Sequence, residues 1–271
     1  MRLDGFSSMD VQQIKLFYTQ LMHALGTRLR LRQRVVCTAV VFWRRFFTTH
    51  TLLAHDPLLL AAAALWMSGK VEESSVAATR VVRELDQLGL GRGMLKVEDL
   101  YKAEYTLLEV VKSNLAVTHP HDTLSRLLAA ADLRESLGVE RSDCLVQAAF
   151  FLCNDCFRTD VLLTAAPYCV ALGCALAAGL LEHTNLLPLL VPAPSAEDVS
   201  AAECVAAELL ALYETSTSLA QGDLIRLHQR LSQAGSAVRS QQCEEASGAA
   251  DNRNDDDADA DTEEDEPTAL E

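Results

Sequence analysis

Four groups of side chains in this sequence are spaced so that they could do chemistry. Cys153-Asn154-Asp155-Cys156 has the spacing of a zinc half-site or a redox pair. A closed zinc site needs four ligands, and the sequence has no second Cys-x-x-Cys and no His pair at helical ligand spacing. The motif also lies in an apolar helical run, where free thiols behave as small hydrophobes. The expectation is buried, reduced cysteines and no metal. Gly89-Leu90-Gly91-Arg92-Gly93 lacks the preceding strand that a nucleotide-binding fingerprint requires, so it reads as a loop. The seven histidines are scattered, and His119 and His121 flank Pro120 as surface or cap residues rather than bases. No catalytic residue and no cofactor is expected. The fourth group is Lys70, Glu72 and Glu73, directly after the most apolar segment of the chain. A lysine there can offset the negative end of a helix dipole, worth roughly 0.3–1 kcal/mol, or it can face a partner.

The elements that position these residues come in two copies. Residues 35–70 recur at 145–180 without a gap, at a constant offset of 110. Val36, Ala39, Phe47, Thr49, Leu52, Leu53, Pro57, Ala61 and Gly69 meet identical residues at Val146, Ala149, Phe157, Thr159, Leu162, Leu163, Pro167, Ala171 and Gly179. Each copy reads as an apolar helix, a leucine-bearing turn, and a proline that opens a second apolar helix. The copies differ at their ends, Lys70 against Leu180. A cation required by the fold itself should recur, so the mismatch favours a partner-facing role for Lys70.

No period-two alternation or hairpin signal is present, which predicts an all-α protein. Helices are expected from Asp10, as a cap, to Gly26, as a stop, and at about 33–48, from Pro57, from a Ser74/Ser75 cap to Leu88, and at 97–111. In the second copy Asp122 caps a helix that ends at Gly138. Helices then follow at 141–157, 167–182 and 197–215. Pro188, Pro192 and Pro194 shorten or remove the fourth helix there. Asp223 caps a last amphipathic helix. The apolar stretch 161–181 is split by Pro167 and too short to span a bilayer.

The net charge of −15 sits mostly in the tail: residues 244–271 carry −12. That segment is too polar to bury a core and is expected to be disordered. The folded part has no basic excess. Its one basic cluster, Arg28, Arg30, Arg32 and Arg34 followed by Arg44 and Arg45, reads as a solvated helix entry. Neither nucleic acid nor membrane is expected as a direct partner. Met1 runs into Arg2, Asp4 and Asp10 with no signal peptide, which fits a reducing compartment.

LRLRQRVVCTAVVFWRRFF, DPLLLAAAALWMSGKVEE and YKAEYTLLEV resemble the first cyclin box of transcriptional cyclins. HPHDTLSRLL and FFLCNDCFRTDVLLTAAPYCVALGCALAAG resemble the second box of the C-type branch, whose cyclins belong to the Mediator kinase module. The resemblance covers residues 11–215. It implies a non-catalytic activating subunit of a Mediator-associated cyclin-dependent kinase, resident in the nucleus with the other kinase-module subunits. It also implies that Lys70, with Glu73 beside it in the K-x-E-E motif, and Glu104 grip the kinase near its αC helix. Asn154 and Asp155 are candidates for a groove that takes a third subunit; they could equally end the helix before Thr159. The family's helix ahead of the first box is nearly missing, and the Met-Arg-x-x-Leu substrate-docking patch of cell-cycle cyclins is absent. Gly69 and the prolines at 188–194 should loosen their elements. The remaining alternatives are another transcriptional cyclin serving a polymerase C-terminal-domain kinase, or a cyclin-fold factor resembling transcription factor IIB. The expected organisation is a short extension (1–10), a first box (11–118), a second box (119–217), a C-terminal helix (218–235) and an acidic tail (236–271).

Overall fold

The structure, a computed structural model, describes residues 5–89, 95–112, 114–216 and 226–241. Gly91, Gly93, Asp223 and the acidic segment from 242 onward lie outside the described residues. Among the described residues there are helices and no strands, and no helix is long and apolar enough to cross a membrane.

The first unit contains α1 (Ser8–Leu29), α2 (Gln33–Thr49), α3 (Pro57–Val71), α4 (Ala78–Gln87) and α5 (Val97–Val110). The central helix, α3, has almost no polar face, because α1, α2, α4 and α5 all pack on it. The second unit contains α6 (Pro120–Ala130), α7 (Leu133–Leu137), α8 (Val139–Asp155), α9 (Val161–Thr164), α10 (Pro167–Leu181) and α11 (Ala196–Ser216). Here α10 is the central helix, packed by α6, α8 and α11. One apolar core runs through both units. A final helix, α12 (226–241), returns to the first unit. Its Leu227 and Leu231 are buried, Tyr18 Oη lies 2.9 Å from His228 Nδ1, and Arg239 donates to the Leu53 carbonyl. It continues six residues past the end expected from composition.

The 110-residue offset persists into the hydrogen bonds. The backbone N–H groups of Glu72, Glu73 and Ser74 donate to the carbonyls of Ser68, Lys70 and Gly69. Those of Glu182, His183 and Thr184 donate to Ala178, Leu180 and Gly179. Both central helices therefore end in a Schellman-type turn, with Glu73 (φ 52) and His183 (φ 50) at the left-handed position. Gly69 and Gly179 do not loosen these helices. A Cβ at Gly69 would sit 3.1 Å from the Ser74 carbonyl oxygen, and one at Gly179 2.7 Å from that of Thr184, so the turn needs glycine.

Several local expectations need correction. Ser7, not Asp10, is the cap of α1. Its hydroxyl accepts from the Asp10 N–H while Asp10 accepts from the Ser7 N–H, a capping box. Gly26 does not stop that helix, which runs on to Leu29. Its missing side chain admits Val36, whose Cγ2 would lie 2.4 Å from a Cβ. Ser74 and Ser75 precede α4, which starts at Ala78. Likewise Asp122 lies in the first turn of α6, at its third position, rather than at its cap, because Pro120 already stands at the first helical position behind His119. A left-handed Asp132 breaks the segment before Gly138 into α6 and α7. The prolines act as expected, leaving a 3₁₀ turn, Leu187–Leu189, in place of a fourth helix.

Candidate functional site

Lys70 lies in the last turn of α3 and Glu104 in the middle of α5, and the two side chains form an ion pair. Lys70 Nζ also stands 3.7 Å from the centre of the Trp66 ring, a cation–π contact that holds the long side chain in one orientation. Trp66 in turn packs on Tyr101 and donates its indole N–H to the Val76 carbonyl. Tyr101 and Tyr105 are 51% and 72% exposed, so α3 and α5 present an aromatic surface around a fixed charge pair. Such a surface is apolar enough to bury and charged enough to set register. Glu73 is exposed in the turn that follows. At the equivalent point of the second unit, Leu180 is 63% exposed with no ion pair.

Glu72 belongs to a different network. Its carboxylate accepts from Arg34 Nε at 2.7 Å and from the Thr38 hydroxyl at 2.7 Å. That hydroxyl has one proton, spent on Glu72, so it accepts from His119 Nε2–H at 2.8 Å. His119 is therefore neither a surface residue nor merely a cap. It is buried, with Nδ1 lacking a partner. Burial pulls its pKa down to about 4, against the opposing pull of Glu72. The chain from Arg34 through Glu72 and Thr38 to His119 ties α2 and the end of α3 to the start of α6.

A second clasp joins the units through Asp160. Its carboxylate accepts from Arg44 Nη1 and from Lys15 Nζ, each at 2.5 Å, and Arg44 Nη2 also donates to Thr19 Oγ1. Arg44, expected on a solvated helix entry, is 3% exposed. Burial alone would raise the Asp160 pKa, yet Arg44 and Lys15 hold its carboxyl below the ordinary range. Three more arginines of the basic cluster are engaged. Arg28 pairs with Glu84, Arg34 with Glu72, and Arg45 donates to the Ala116 carbonyl. Spacing could not reveal either clasp, because the partners lie up to 145 residues apart.

Asn154 and Asp155 are half-buried at the end of α8. The Asn154 side-chain oxygen lies 2.9 Å from His121 Nε2, and Asp155 accepts from Tyr213 Oη at 2.5 Å and from Arg158. The seven cysteines of the described residues are unpaired thiols; Cys243 lies outside them. Cys153, Cys156 and Cys174 converge, with all three sulfurs within 4.8 Å of one another. The Cys-x-x-Cys spacing does not reveal this cluster, because the third sulfur comes from α10. Hydrogen bonds from Cys156, Cys174 and His121 outweigh burial and favour the thiolate at Cys153.

With this geometry in view, the comparisons are specific. The cyclin N-terminal domain profile matches residues 7–116. Cyclin-C1-1 of Oryza sativa subsp. japonica is 29% identical over 184 residues, covering 67% of this chain and 68% of the relative. Cyclin-C of Rattus norvegicus is 30% identical over 181 residues, covering 64% and 62%. Among solved structures, a chain of the CAK complex of Chaetomium thermophilum bound to ATP-γ-S superposes with a TM-score of 0.67 at 14% identity. That match covers 97% of this chain and 84% of the other, and at such identity it is a likeness of fold.

Proposed function

The chain belongs to the cyclin family, and from that premise we propose that it is the non-catalytic regulatory subunit of a cyclin-dependent Ser/Thr kinase acting in transcription. The C-type resemblance of the second box narrows the reading to a kinase of the Mediator module, in the nucleus and alongside other module subunits. The two units correspond to two tandem cyclin boxes, with α12 as an added helix.

The observation that carries the reading is the Lys70–Glu104 pair. It sits on a face where exposed aromatics surround a fixed ion pair, on the helices where the family holds its kinase. The mechanism follows from kinase chemistry. A kinase transfers phosphate only when its αC helix lies inward, so that the αC glutamate pairs with the phosphate-binding lysine of strand β3. A rigid face that binds the inward state more tightly shifts the population toward it. Lys70 and Glu104 set the register, Glu73 adds a charge at the rim, and Trp66, Tyr101 and Tyr105 supply area. Because Glu72 is tied to His119, the orientation of the second box is coupled to the same helix end. Asn154 and Asp155 remain the proposed third-subunit contacts, each already braced from within.

Engagement of Arg28, Arg34, Arg44 and Arg45 by internal partners weighs against a promoter-binding role, which needs free basic side chains. An affinity capture from native extract tests the reading. Recovery of a cyclin-dependent kinase with Mediator subunits, its activity raised by added protein, is the expected result. Recovery of no kinase, or salt-sensitive DNA binding in its place, overturns it.

A further inference from the structure

Three buried thiols converge in the interior of the second unit, with a histidine beside them, and the equivalent positions of the first unit hold no metal ligand. Cys153 lies in the last turn of α8, Cys156 opens the 3₁₀ turn that follows, and Cys174 faces both from α10. His121, in the first turn of α6, is a hydrogen-bonding neighbour of Cys153. At the 110-residue offset these four positions are Trp43, Phe46, Ala64 and Val11. All four are buried in the first unit, with Trp43 and Phe46 fully so. Two large aromatics thus complete the core of one repeat, and two small thiols stand in their places in the other. The second unit is also the one that has lost its fourth helix. A small core commonly compensates for missing apolar volume with a covalent or metal staple.

We propose that Cys153, Cys156 and Cys174, with His121 as the fourth ligand, bind one structural zinc ion in the second unit. The donor set is the Cys₃His type used by closed zinc sites, and Cys153 and Cys156 have its x₂ spacing. Zn–S bonds of about 2.3 Å in a tetrahedron place the sulfurs about 3.8 Å apart. The three sulfurs already lie within 4.8 Å, so side-chain rotation closes the difference. The His121 ring lies beside the thiols but outside the 4.8 Å cluster, so it must move toward them to complete the tetrahedron. Its Nε2 is held by the Asn154 oxygen at 2.9 Å, leaving Nδ1 for the metal, and its ring stacks on Phe157. A carbonyl oxygen on the distal nitrogen is the usual outer partner of a zinc-bound histidine.

The charges also balance. Three thiolates and Zn²⁺ leave a net −1 in the interior. Next to it, Lys15 and Arg44 share a single carboxylate, Asp160, for a net +1. Arg44 is within electrostatic reach of Cys156, and its buried Nε has no hydrogen-bond partner.

The test uses the full chain, purified without chelator under reducing conditions, with metal measured by elemental analysis. About one zinc per chain is expected. Exchange with Co²⁺ should give the visible absorption of tetrahedral cobalt and the near-ultraviolet band of cobalt–thiolate bonds. Cys174→Ser and Cys156→Ser should lose most of the metal, and His121→Phe should weaken its retention against a competing chelator. Cys204→Ser, at an exposed cysteine, should retain it. Wild-type protein that holds less than about a tenth of an equivalent and gives no cobalt–thiolate band overturns the proposal, whatever the variants do. Metal that survives the Cys174 and Cys156 substitutions also overturns it.

Discussion

Replacing Asp160 with asparagine should destabilise the fold strongly, because this carboxylate is the ion-pair partner of both Arg44 and Lys15. Arg44 is 3% exposed and makes two side-chain hydrogen bonds, one of 2.5 Å to Asp160 and one of 3.3 Å to Thr19. Asp160→Asn keeps the shape but removes the charge that offsets a buried guanidinium and the Lys15 ammonium. Breaking a buried pair from one side costs about 3–5 kcal/mol. The Asp160 side chain is 42% exposed, so water relieves part of the loss and the low end, about 3 kcal/mol, applies. For a protein of this size that corresponds to a fall of about 6–12 °C in melting temperature. Arg44→Met removes the buried cation itself and should cost less. In the double variant Arg44→Met/Asp160→Asn, much of the Asp160→Asn loss should vanish, because no unpaired guanidinium remains inside and only the partly exposed Lys15 loses its partner. Urea denaturation followed by far-ultraviolet circular dichroism measures all three. The reasoning fails if Asp160→Asn lies within about 0.5 kcal/mol of wild type, or if the two substitutions are simply additive.

His119 titrates near 4 in the folded chain and near 6.5 when unfolded, so the unfolded state binds the extra proton between those values. Stability should be full above about pH 6.5 and fall by up to about 3 kcal/mol as pH drops to 4; His119→Gln should flatten that slope, and an unchanged slope counts against the buried neutral imidazole. Asp160 should add a further loss only when pH falls below the ordinary carboxylate range, since its folded pKa is depressed. Glu73→Gly and His183→Gly each relieve a left-handed non-glycine residue and should raise stability by up to about 1 kcal/mol. Only Glu73→Gly should also weaken kinase capture, which a parallel binding assay separates. Gly173→Ala places a Cβ 2.7 Å from the Ala202 carbonyl oxygen and 2.8 Å from Val205 Cβ, so α10 and α11 must part. A cost of about 1–3 kcal/mol in thermal or urea denaturation is expected.

The all-α class and the duplicated framework were legible because apolar periodicity and prolines act locally. Pro57 and Pro167 open their helices, and Pro188 disrupts the one predicted to fail. Misreadings arose where one residue had two physical uses. Gly26 looks like a stop but provides clearance for Val36, and Asp10 looks like a cap but is the second half of a capping box with Ser7. Lys70 and Glu104 stood out through the family pattern, and Lys70 also through its contrast with Leu180. Their pairing with each other and with Trp66 depends on the packing of α3 against α5. The clasps at His119 and Asp160, and the third sulfur beside Cys153 and Cys156, were hidden for a common reason. Each joins residues from helices distant in sequence, and no spacing rule connects them.

The most direct test of the kinase-grip reading exchanges the two charges rather than removing either. Lys70→Glu/Glu104→Lys retains the internal ion pair and reverses the polarity shown to a partner. The variant should match wild type in helicity and lose only about 1 kcal/mol of stability, from the Trp66 cation–π contact and the α3 dipole. Its affinity for the cyclin-dependent kinase recovered from extract, measured by calorimetry or interferometry, should fall at least about 30-fold, the equivalent of about 2 kcal/mol for a desolvated charge contact. Leu180→Lys, at the matching point of the second unit, should leave affinity unchanged. Binding of the exchanged variant within about threefold of wild type would contradict the assignment of Lys70 and Glu104 as the kinase grip.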